Sequence, residues 1–273
     1  MDFIHVKNYF VSLICVLCIL QYITLFVKQV YRNMKPYIKE LLTIKNITVW
    51  QVDGNYVRNK ISVDFTNSGH HFTFSKIPKT EIWIDKDFSK HNNVSVCSQP
   101  KKCVTMTEEE ELLIMQSMIE RKLMKQKVPY NEALAYSARM AKNHRKLLND
   151  VPLNKTYDHV YVKKLKKFCI NGVKVWLVNG RLVRDNFYIH FTEGGHHYVY
   201  KFVPPNEIWI DDCLNPKEYG YVLFHEAIER NLMKYNDMKY NNAHDVAIKY
   251  EGILRGKQVN PDELIIHELM RKK

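Results

Sequence analysis

The sequence predicts an α+β fold in which a membrane anchor is followed by two tandem copies of one domain. Three observations support this prediction. An uncharged apolar segment occupies residues 9–27, two long stretches of the chain repeat each other, and in each stretch strand-like segments precede helical ones. We therefore predict an N-terminal transmembrane helix and, in each copy, an antiparallel β-sheet followed by two packed helices.

The anchor is predicted from the segment YFVSLICVLCILQYITLFV at residues 9–27. A helix of this length spans about 28 Å, close to the hydrocarbon thickness of a bilayer. We assign residues 1–40 to an uncleaved single-pass anchor whose partner is the lipid bilayer. One basic residue, Lys7, precedes the span, and four follow it: Lys28, Arg32, Lys35 and Lys39. This asymmetry predicts that the C-terminal part lies on the cytoplasmic side.

The composition is that of a folded basic protein, with a net charge of +12 and 46% hydrophobic residues. A positive charge favours anionic surroundings. The basic residues are scattered, however, and the densest run, Lys163–Lys167, lies between two segments that look folded. We interpret that run as a solvated linker face, so nucleic acid is disfavoured as a partner.

The internal repeat is the strongest feature of the chain. Residues 50–85 and 176–211 align without a gap and share sixteen of thirty-six positions. The first copy then carries an insertion of seventeen residues before the similarity resumes. The predicted units are a first repeat at 41–148, a linker at 149–165, a second repeat at 166–256 and a C-terminal helix within 257–273.

The elements of the second copy follow from local patterns. Residues 175–183 predict a hairpin, because Asn179-Gly180 suits a two-residue turn, and Asp53-Gly54 predicts the same turn in the first copy. Alternating residues at 188–191 and 197–202 predict a second hairpin, and residues 207–210 a short strand. Helical periodicity then predicts three helices, which begin beyond Asn215-Pro216, near Asn241 and at Asn260-Pro261.

A candidate metal site lies on the first two of these helices. His225 and Glu229 are four residues apart, so they share one helix face, and His244 on the next helix could be a third ligand. Glu226 could take a proton from a metal-bound water. Glu251 lies two turns beyond His244 and could be a fourth ligand or the acceptor that orients a ligating imidazole.

The first copy lacks most of these residues. The positions of His225, Glu226, His244 and Glu251 are taken by Gln116, Ser117, Leu134 and Ala141. Their joint replacement indicates that they form one site and that the first copy is an inactive structural partner.

The position of Glu229 is different, because its counterpart Glu120 is kept. Glu229 could therefore be a metal ligand or the partner of Arg184 or Arg230 in a buried ion pair. In the second case Glu251 or His196 would complete the metal shell. A hydrogen-bonded strand histidine is the simpler interpretation of His196.

The second copy resembles small zincin-like domains of uncharacterised bacterial and viral proteins. The motifs that carry the resemblance are GxxVR, FTxGGxH, PxxEIWID, HExxERxLM and YxxAHxxAxxxE, between Val175 and Glu251. The resemblance implies a metal-dependent hydrolase in which His225, Glu229 and His244 are ligands and Glu226 is the catalytic carboxylate. It implies zinc as the cofactor, although a carboxylate-rich shell also suits manganese or iron.

Two functions follow from the sequence. The first is a membrane-anchored metal-dependent hydrolase that cleaves a peptide or amide bond. The second is a non-enzymatic membrane or virion scaffold in which any metal is structural.

Overall fold

The computed structural model describes residues 36–88, 93–99, 102–148 and 159–271. The predicted membrane span at residues 9–27 lies outside these ranges. Within them, no helix combines the length and the apolar character needed to cross a bilayer. The predicted fold class is therefore corrected: the described fold is α+β without a transmembrane element. The bilayer partner and the cytoplasmic orientation stay predictions.

The first repeat contains a four-stranded sheet and three helices. Its strands are β1 (Tyr37–Ile44), β2 (Ile47–Val52), β3 (Ser68–His70) and β4 (Glu81–Asp85), in the spatial order β1-β2-β4-β3. Its helices are α1 (Gly54–Lys60), α2 (Glu108–Lys125) and α3 (Tyr130–Leu148). The inserted segment of this repeat forms a separate hairpin of β5 (Asn93–Gln99) and β6 (Lys102–Thr107).

The second repeat has the same architecture. Its strands are β7 (Tyr161–Lys164), β8 (Lys174–Val178), β9 (Gly194–His196) and β10 (Glu207–Asp211), in the order β7-β8-β10-β9. Its helices are α4 (Gly180–Asn186), α5 (Tyr219–Tyr235), α6 (Tyr240–Lys257) and α7 (Asp262–Met270). Strand β7 lies within residues 149–165, the range predicted to be a linker, so the second repeat begins earlier than predicted.

The predicted hairpin at residues 175–183 is wrong, because Asn179 caps a helix instead of forming a turn. Its side-chain oxygen accepts a hydrogen bond from the backbone N–H of Leu182 at 3.0 Å, which starts α4. Asp53 caps α1 in the same way through Tyr56. A short polar side chain satisfies free backbone N–H groups in tight turns and at helix starts alike, so the local signal cannot separate the two.

The sheets are mixed, so the predicted wholly antiparallel sheet is also wrong. Strand β10 runs parallel to β8, with Trp209 beside Trp176, and antiparallel to β9. The chain returns through α4 before it re-enters the sheet, which is the kind of crossover that a parallel pair requires. The second predicted hairpin is replaced by β9 alone, whereas the strand predicted at 207–210 and the three helices after it are present.

Helix α4 starts directly against the end of β10. A Cβ atom on Gly180 would lie 2.0 Å from Oδ2 of Asp211, so only glycine admits the carboxylate here. One turn later Arg184 binds the same Asp211 oxygen at 2.5 Å. Gly54, Arg58 and Asp85 repeat this arrangement in the first copy. The spacing of glycine and arginine in the repeated motif thus builds a buried ion pair within each repeat.

The two repeats share one hydrophobic core. A single cluster of buried residues contains Val49 and Leu113 of the first repeat together with Ile210, Leu223 and Phe224 of the second. Burial of apolar surface is the main favourable term in folding. The repeats therefore stabilise each other.

Reciprocal ion pairs join the repeats across this core. Arg58 Nε of the first repeat lies 2.7 Å from Glu218 Oε2 of the second. Arg184 Nε of the second lies 2.8 Å from Glu109 Oε1 of the first. Arg58 and Arg184 are equivalent in the duplication, and so are Glu109 and Glu218. Each repeat thus offers the same patch to the other, as in a two-fold dimer.

Replacement of Gly180 tests the close packing at α4. We expect Gly180→Ala to lower the free energy of unfolding by about 1–3 kcal/mol, because the new methyl group must displace the buried Asp211 carboxylate. Urea denaturation followed by circular dichroism measures this loss. Gly256→Ala is the control, since open space surrounds that position in α6 and alanine is the better helix former. Equal stability of the two variants would contradict the packing argument.

The interface carboxylates predict a loss of stability in acid. Burial raises the pKa of Glu109, but Arg184 and Arg145 outweigh it and hold the pKa below its ordinary value of 4.5. Such a group stabilises the fold above its unfolded pKa and loses this contribution as the pH falls through its folded pKa. We therefore expect the free energy of unfolding to decline below about pH 4.5.

Glu109→Gln removes this titrating group and should flatten the decline in urea denaturation measured at a series of pH values. The variant should already be less stable at neutral pH, because Arg184 loses an anionic partner. A pH dependence as steep as that of the wild type would contradict the assignment.

Candidate metal centre

Two antiparallel helices carry the candidate site. The first, α5, is buried along most of its length, from Val222 to Asn231. It packs against α6, which brings His244 and Glu251 next to His225 and Glu229. The 3.6-residue period places His225 and Glu229 on the face of α5 that meets α6.

Three of the predicted ligands converge on one point. His225 Nε2 lies 3.1 Å from His244 Nδ1, and Glu229 Oε2 lies 2.9 Å from His244 Nδ1 and 3.6 Å from His225 Nε2. Ligand atoms held at about 2.1 Å by a tetrahedral zinc ion lie about 3.4 Å from each other. The triangle therefore has the dimensions that one zinc ion requires, and these three residues could hold a metal.

Glu251 lies behind this triangle. Its Oε2 atom is 2.9 Å from Nδ1 of His225, the ring nitrogen opposite the one in the triangle. Its other oxygen accepts a hydrogen bond from Nε of Arg255 at 2.7 Å. Of the two roles predicted for Glu251, this geometry favours the acceptor that orients a ligating imidazole.

Glu229 makes its contacts with histidines. Besides His225 and His244, its Oε1 atom lies 3.1 Å from Nε2 of His196, a fully buried residue of β9. Arg230, one of the two arginines proposed as its partner, bonds to Asn231 and Asn206 instead. Arg184 pairs with Glu109 and Asp211. The geometry thus favours the ligand role for Glu229 over the ion-pair role.

Glu226 is buried beside the triangle, and its Oε2 atom has no hydrogen-bond partner. Burial and the neighbouring charge of Glu229 raise the pKa of Glu226 well above its ordinary value. A buried carboxylate oxygen without a partner is costly unless a ligand satisfies it. This orphaned atom fits a role that begins only when metal and water are bound.

The histidines and Glu229 form a charged cluster. Burial lowers the pKa of His225, but hydrogen bonds to Glu229 and Glu251 outweigh it and hold the pKa well above its ordinary value. For His244, hydrogen bonds to Asp64 and Glu229 likewise overcome burial and raise the pKa to about 9. Burial raises the pKa of Glu229, but hydrogen bonds with the three surrounding histidines outweigh it and lower the pKa below its ordinary value. Protons and a divalent cation would therefore compete for the same imidazole nitrogens.

A cavity of about 650 Å³ opens between the repeats and gives access to the site. The second repeat lines one wall with the site residues and with the half-exposed rings of Tyr188 and Tyr240. The ring of Tyr240 stacks on that of His244, with centroids 5.3 Å apart. The first repeat lines the opposite wall with polar and aromatic side chains: Asp64, Asn67, Ser68, Gln116, Glu120 and Tyr130.

At the equivalent position in the first repeat, the counterparts of His225 and His244 are not histidines, but the counterpart of Glu229 is still a glutamate. Glu120, the counterpart of Glu229, accepts a hydrogen bond from Ser137 at 2.7 Å. His70, the counterpart of His196, lies 3.8 Å from it. The position of His244 is held by Leu134. A hydroxyl group therefore satisfies the carboxylate that imidazoles surround in the second repeat.

Sequence reasoning missed three residues of this region. Arg255 and Glu218 support Glu251, and Tyr240 stacks on His244. The alignment of the two copies contained a signal for all three, because Arg145, Glu109 and Tyr130 occupy the equivalent positions.

Comparison with known proteins adds no identification: the chain has no significant match among protein-family models, curated proteins or solved structures. The zincin-like resemblance rests on the motifs alone.

The triangle predicts one zinc ion per chain. We expect Zn²⁺ titration of the purified full-length protein, followed by elemental analysis, to give one equivalent. His244→Ala removes a ligand and should weaken binding by more than about a hundredfold, since the loss of a residue that only orients a ligand already costs up to that factor. His267→Ala, which alters a histidine outside the cluster, is the control. Equal zinc content in His244→Ala and wild type would contradict the site.

Proposed function

We propose that the protein is a metal-dependent hydrolase of the zincin-like kind, which cleaves a peptide or other amide bond at the second repeat. The observation that supports this proposal best is the position of the ligand triangle. His225, His244 and Glu229 meet at the wall of the cavity, and next to them lies Glu226, whose Oε2 atom has no hydrogen-bond partner. Three ligands, an open side and an adjacent carboxylate are the parts of a catalytic zinc site.

The donor set favours zinc. Two imidazole nitrogens and one carboxylate oxygen form a ligand set of catalytic zinc sites, and the triangle suits tetrahedral geometry. Manganese and iron prefer larger shells with more oxygen ligands. They remain the alternative cofactors, because Glu226 and His196 lie within reach of a larger shell.

A zinc ion held by His225, His244 and Glu229 would supply a water molecule with a pKa near 7 and would polarise the carbonyl group of the substrate. Glu226 would be the general base that accepts a proton from the attacking water. It would then return this proton to the nitrogen of the broken carbon–nitrogen bond. The products would be a carboxylic acid and an amine, which ionise to carboxylate and ammonium at neutral pH.

The cavity supports a substrate that extends across both repeats. Tyr188 and Tyr240 flank the metal side, and Tyr130 stands on the wall of the first repeat. Half-exposed tyrosines offer apolar faces together with hydroxyl groups, which suits a polypeptide substrate. The first repeat would thus help to bind substrate without taking part in the chemistry.

The competing proposal is a scaffold in which the metal is structural. One observation favours it: His196 lies close to Glu229 and is fully buried, so a small movement could make it a fourth protein ligand. Four protein ligands would close the shell and exclude a reactive water. X-ray absorption of the zinc-loaded protein separates the two proposals, because it counts the ligands and detects the water.

Substitution of Glu226 tests the enzymatic proposal. We expect Glu226→Gln to keep one equivalent of zinc and to lower the hydrolysis of labelled casein by about 10²–10⁴-fold, since general base catalysis contributes that much. Ser117→Ala, which changes the first-repeat counterpart of Glu226, should retain full activity. Wild-type protein that holds zinc with a bound water but hydrolyses neither casein nor a set of peptide amides would count against an enzyme of this class.

A further inference from the structure

A continuous chain of buried contacts leads from the candidate metal site into the first repeat. It begins at Nδ1 of His225, 2.9 Å from Glu251, and continues to Arg255, whose Nε lies 2.7 Å from the other oxygen of Glu251. Arg255 Nη2 lies 2.9 Å from Glu218 Oε2, and Arg58 Nε lies 2.7 Å from the same oxygen. Arg58 belongs to the first repeat, so this series of contacts, here named the contact chain, crosses the interface between the repeats.

Every charged residue of this contact chain is buried. The side chains of Arg58 and Glu218 are fully enclosed, and that of Arg255 is 1% exposed. Solvent therefore screens these contacts little, and none of the side chains can move without leaving a buried charge unpaired. Asn55 and Asn59 on α1 add hydrogen bonds to Glu218 and Arg255, which fixes the chain further from the side of the first repeat.

The duplication provides a second series of buried contacts, made by the equivalent residues. This second contact chain ends before it reaches a histidine. Arg184 pairs with Glu109, and Glu109 pairs with Arg145, the counterpart of Arg255. The next position, that of Glu251, is Ala141, and the position of His225 is Gln116. The two contact chains thus share the arginine–glutamate pair between the repeats, and only one of them reaches an imidazole. Arg58 differs from Arg184 in that it also lies 3.1 Å from Glu193.

We propose that Arg58 is a positioning residue for the metal site of the second repeat, acting through Glu218, Arg255 and Glu251 on His225. This inference rests on the proposed function, since it assumes that the site binds zinc.

The physical reason lies in the ring of His225. A proton on Nδ1, bonded to Glu251, leaves the lone pair of Nε2 free to face the metal and fixes the ring orientation. Arg255 keeps Glu251 in place, and Arg58 shares the charge of Glu218 that keeps Arg255 in place. Without Arg58, the buried Glu218 has one guanidinium partner instead of two, and Arg255 is drawn towards it and away from Glu251.

The two equivalent contact chains allow a matched experiment on the full-length protein in a mild detergent. Zn²⁺ affinity is measured by competition with a chromophoric chelator, and the melting temperature by circular dichroism, for Arg58→Met and Arg184→Met. Both variants remove one buried interface arginine, so both should melt at a lower temperature. We expect Arg58→Met to weaken Zn²⁺ binding about tenfold, the lower end for second-shell partners, and Arg184→Met to change it less than about twofold.

A second pair of variants gives the same answer if an interface variant fails to fold. Arg255→Met removes the link nearest to Glu251 and should weaken Zn²⁺ binding at least as much as Arg58→Met. Its counterpart Arg145→Met should leave binding unchanged. Arg58→Lys, which keeps the charge, should recover part of the affinity.

The outcomes separate this inference from the proposed function. Equal Zn²⁺ affinity in Arg58→Met and Arg184→Met, or in the second pair, overturns the positioning role and leaves the metal site standing. Wild-type protein that binds no Zn²⁺ overturns the proposed function and this inference together. A merely structural Arg58 would lower the melting temperature without moving the affinity.

Discussion

The fold depends on the exchange of buried charges between its two halves. Arg58 and Arg184 each lie in the interior, and each pairs with carboxylates of both repeats. A buried guanidinium that loses a partner leaves an uncompensated charge, which costs about 3–5 kcal/mol. Since neither repeat alone holds all the carboxylates that its arginine needs, the two repeats form one structural unit. The shared apolar core supplies the driving force for their association, and the ion pairs fix its geometry.

This constraint explains which residues the first repeat has kept and which it has lost. Glu109 and Arg145 remain because they balance charges at the interface. Gln116 and Ala141 face the cavity or the space behind it, where a change affects chemistry without unpairing a buried charge. A duplicate can therefore lose a cluster of polar residues and remain necessary to its twin. The cavity between the repeats follows from the same geometry, because the two-fold arrangement turns the intact site and its altered counterpart towards one cleft.

Much of the candidate site could be predicted because it depends on helical periodicity, a local property. The i, i+4 spacing places His225 and Glu229 on one face, and the short turn to α6 brings His244 beside them. The sheet could not be predicted in the same way. Asn179 gives the same local signal at a hairpin turn and at a helix start, and only the parallel pairing of β8 with β10 distinguishes them. That pairing joins residues about thirty positions apart, so no short window contains it. The outer support of the site was missed for a related reason, since Arg58 meets Glu218 across 160 residues.

The retention of Glu120 leaves two roles open for Glu229 when the duplicates are compared by sequence alone. Its presence in a copy that lacks the counterparts of His225 and His244 allows either a ligand or an ion-pair role for Glu229. The two carboxylates are kept for different reasons, however, because Ser137 donates to Glu120 while His196, His225 and His244 surround Glu229. The residue equivalent to Ser137 is Ala247, which has no hydroxyl to offer. In the second repeat the carboxylate therefore lacks the hydroxyl donor that satisfies its twin, and the surrounding imidazoles take its place. Identity at an aligned position fixes the chemical group, and the neighbours of that group decide its role.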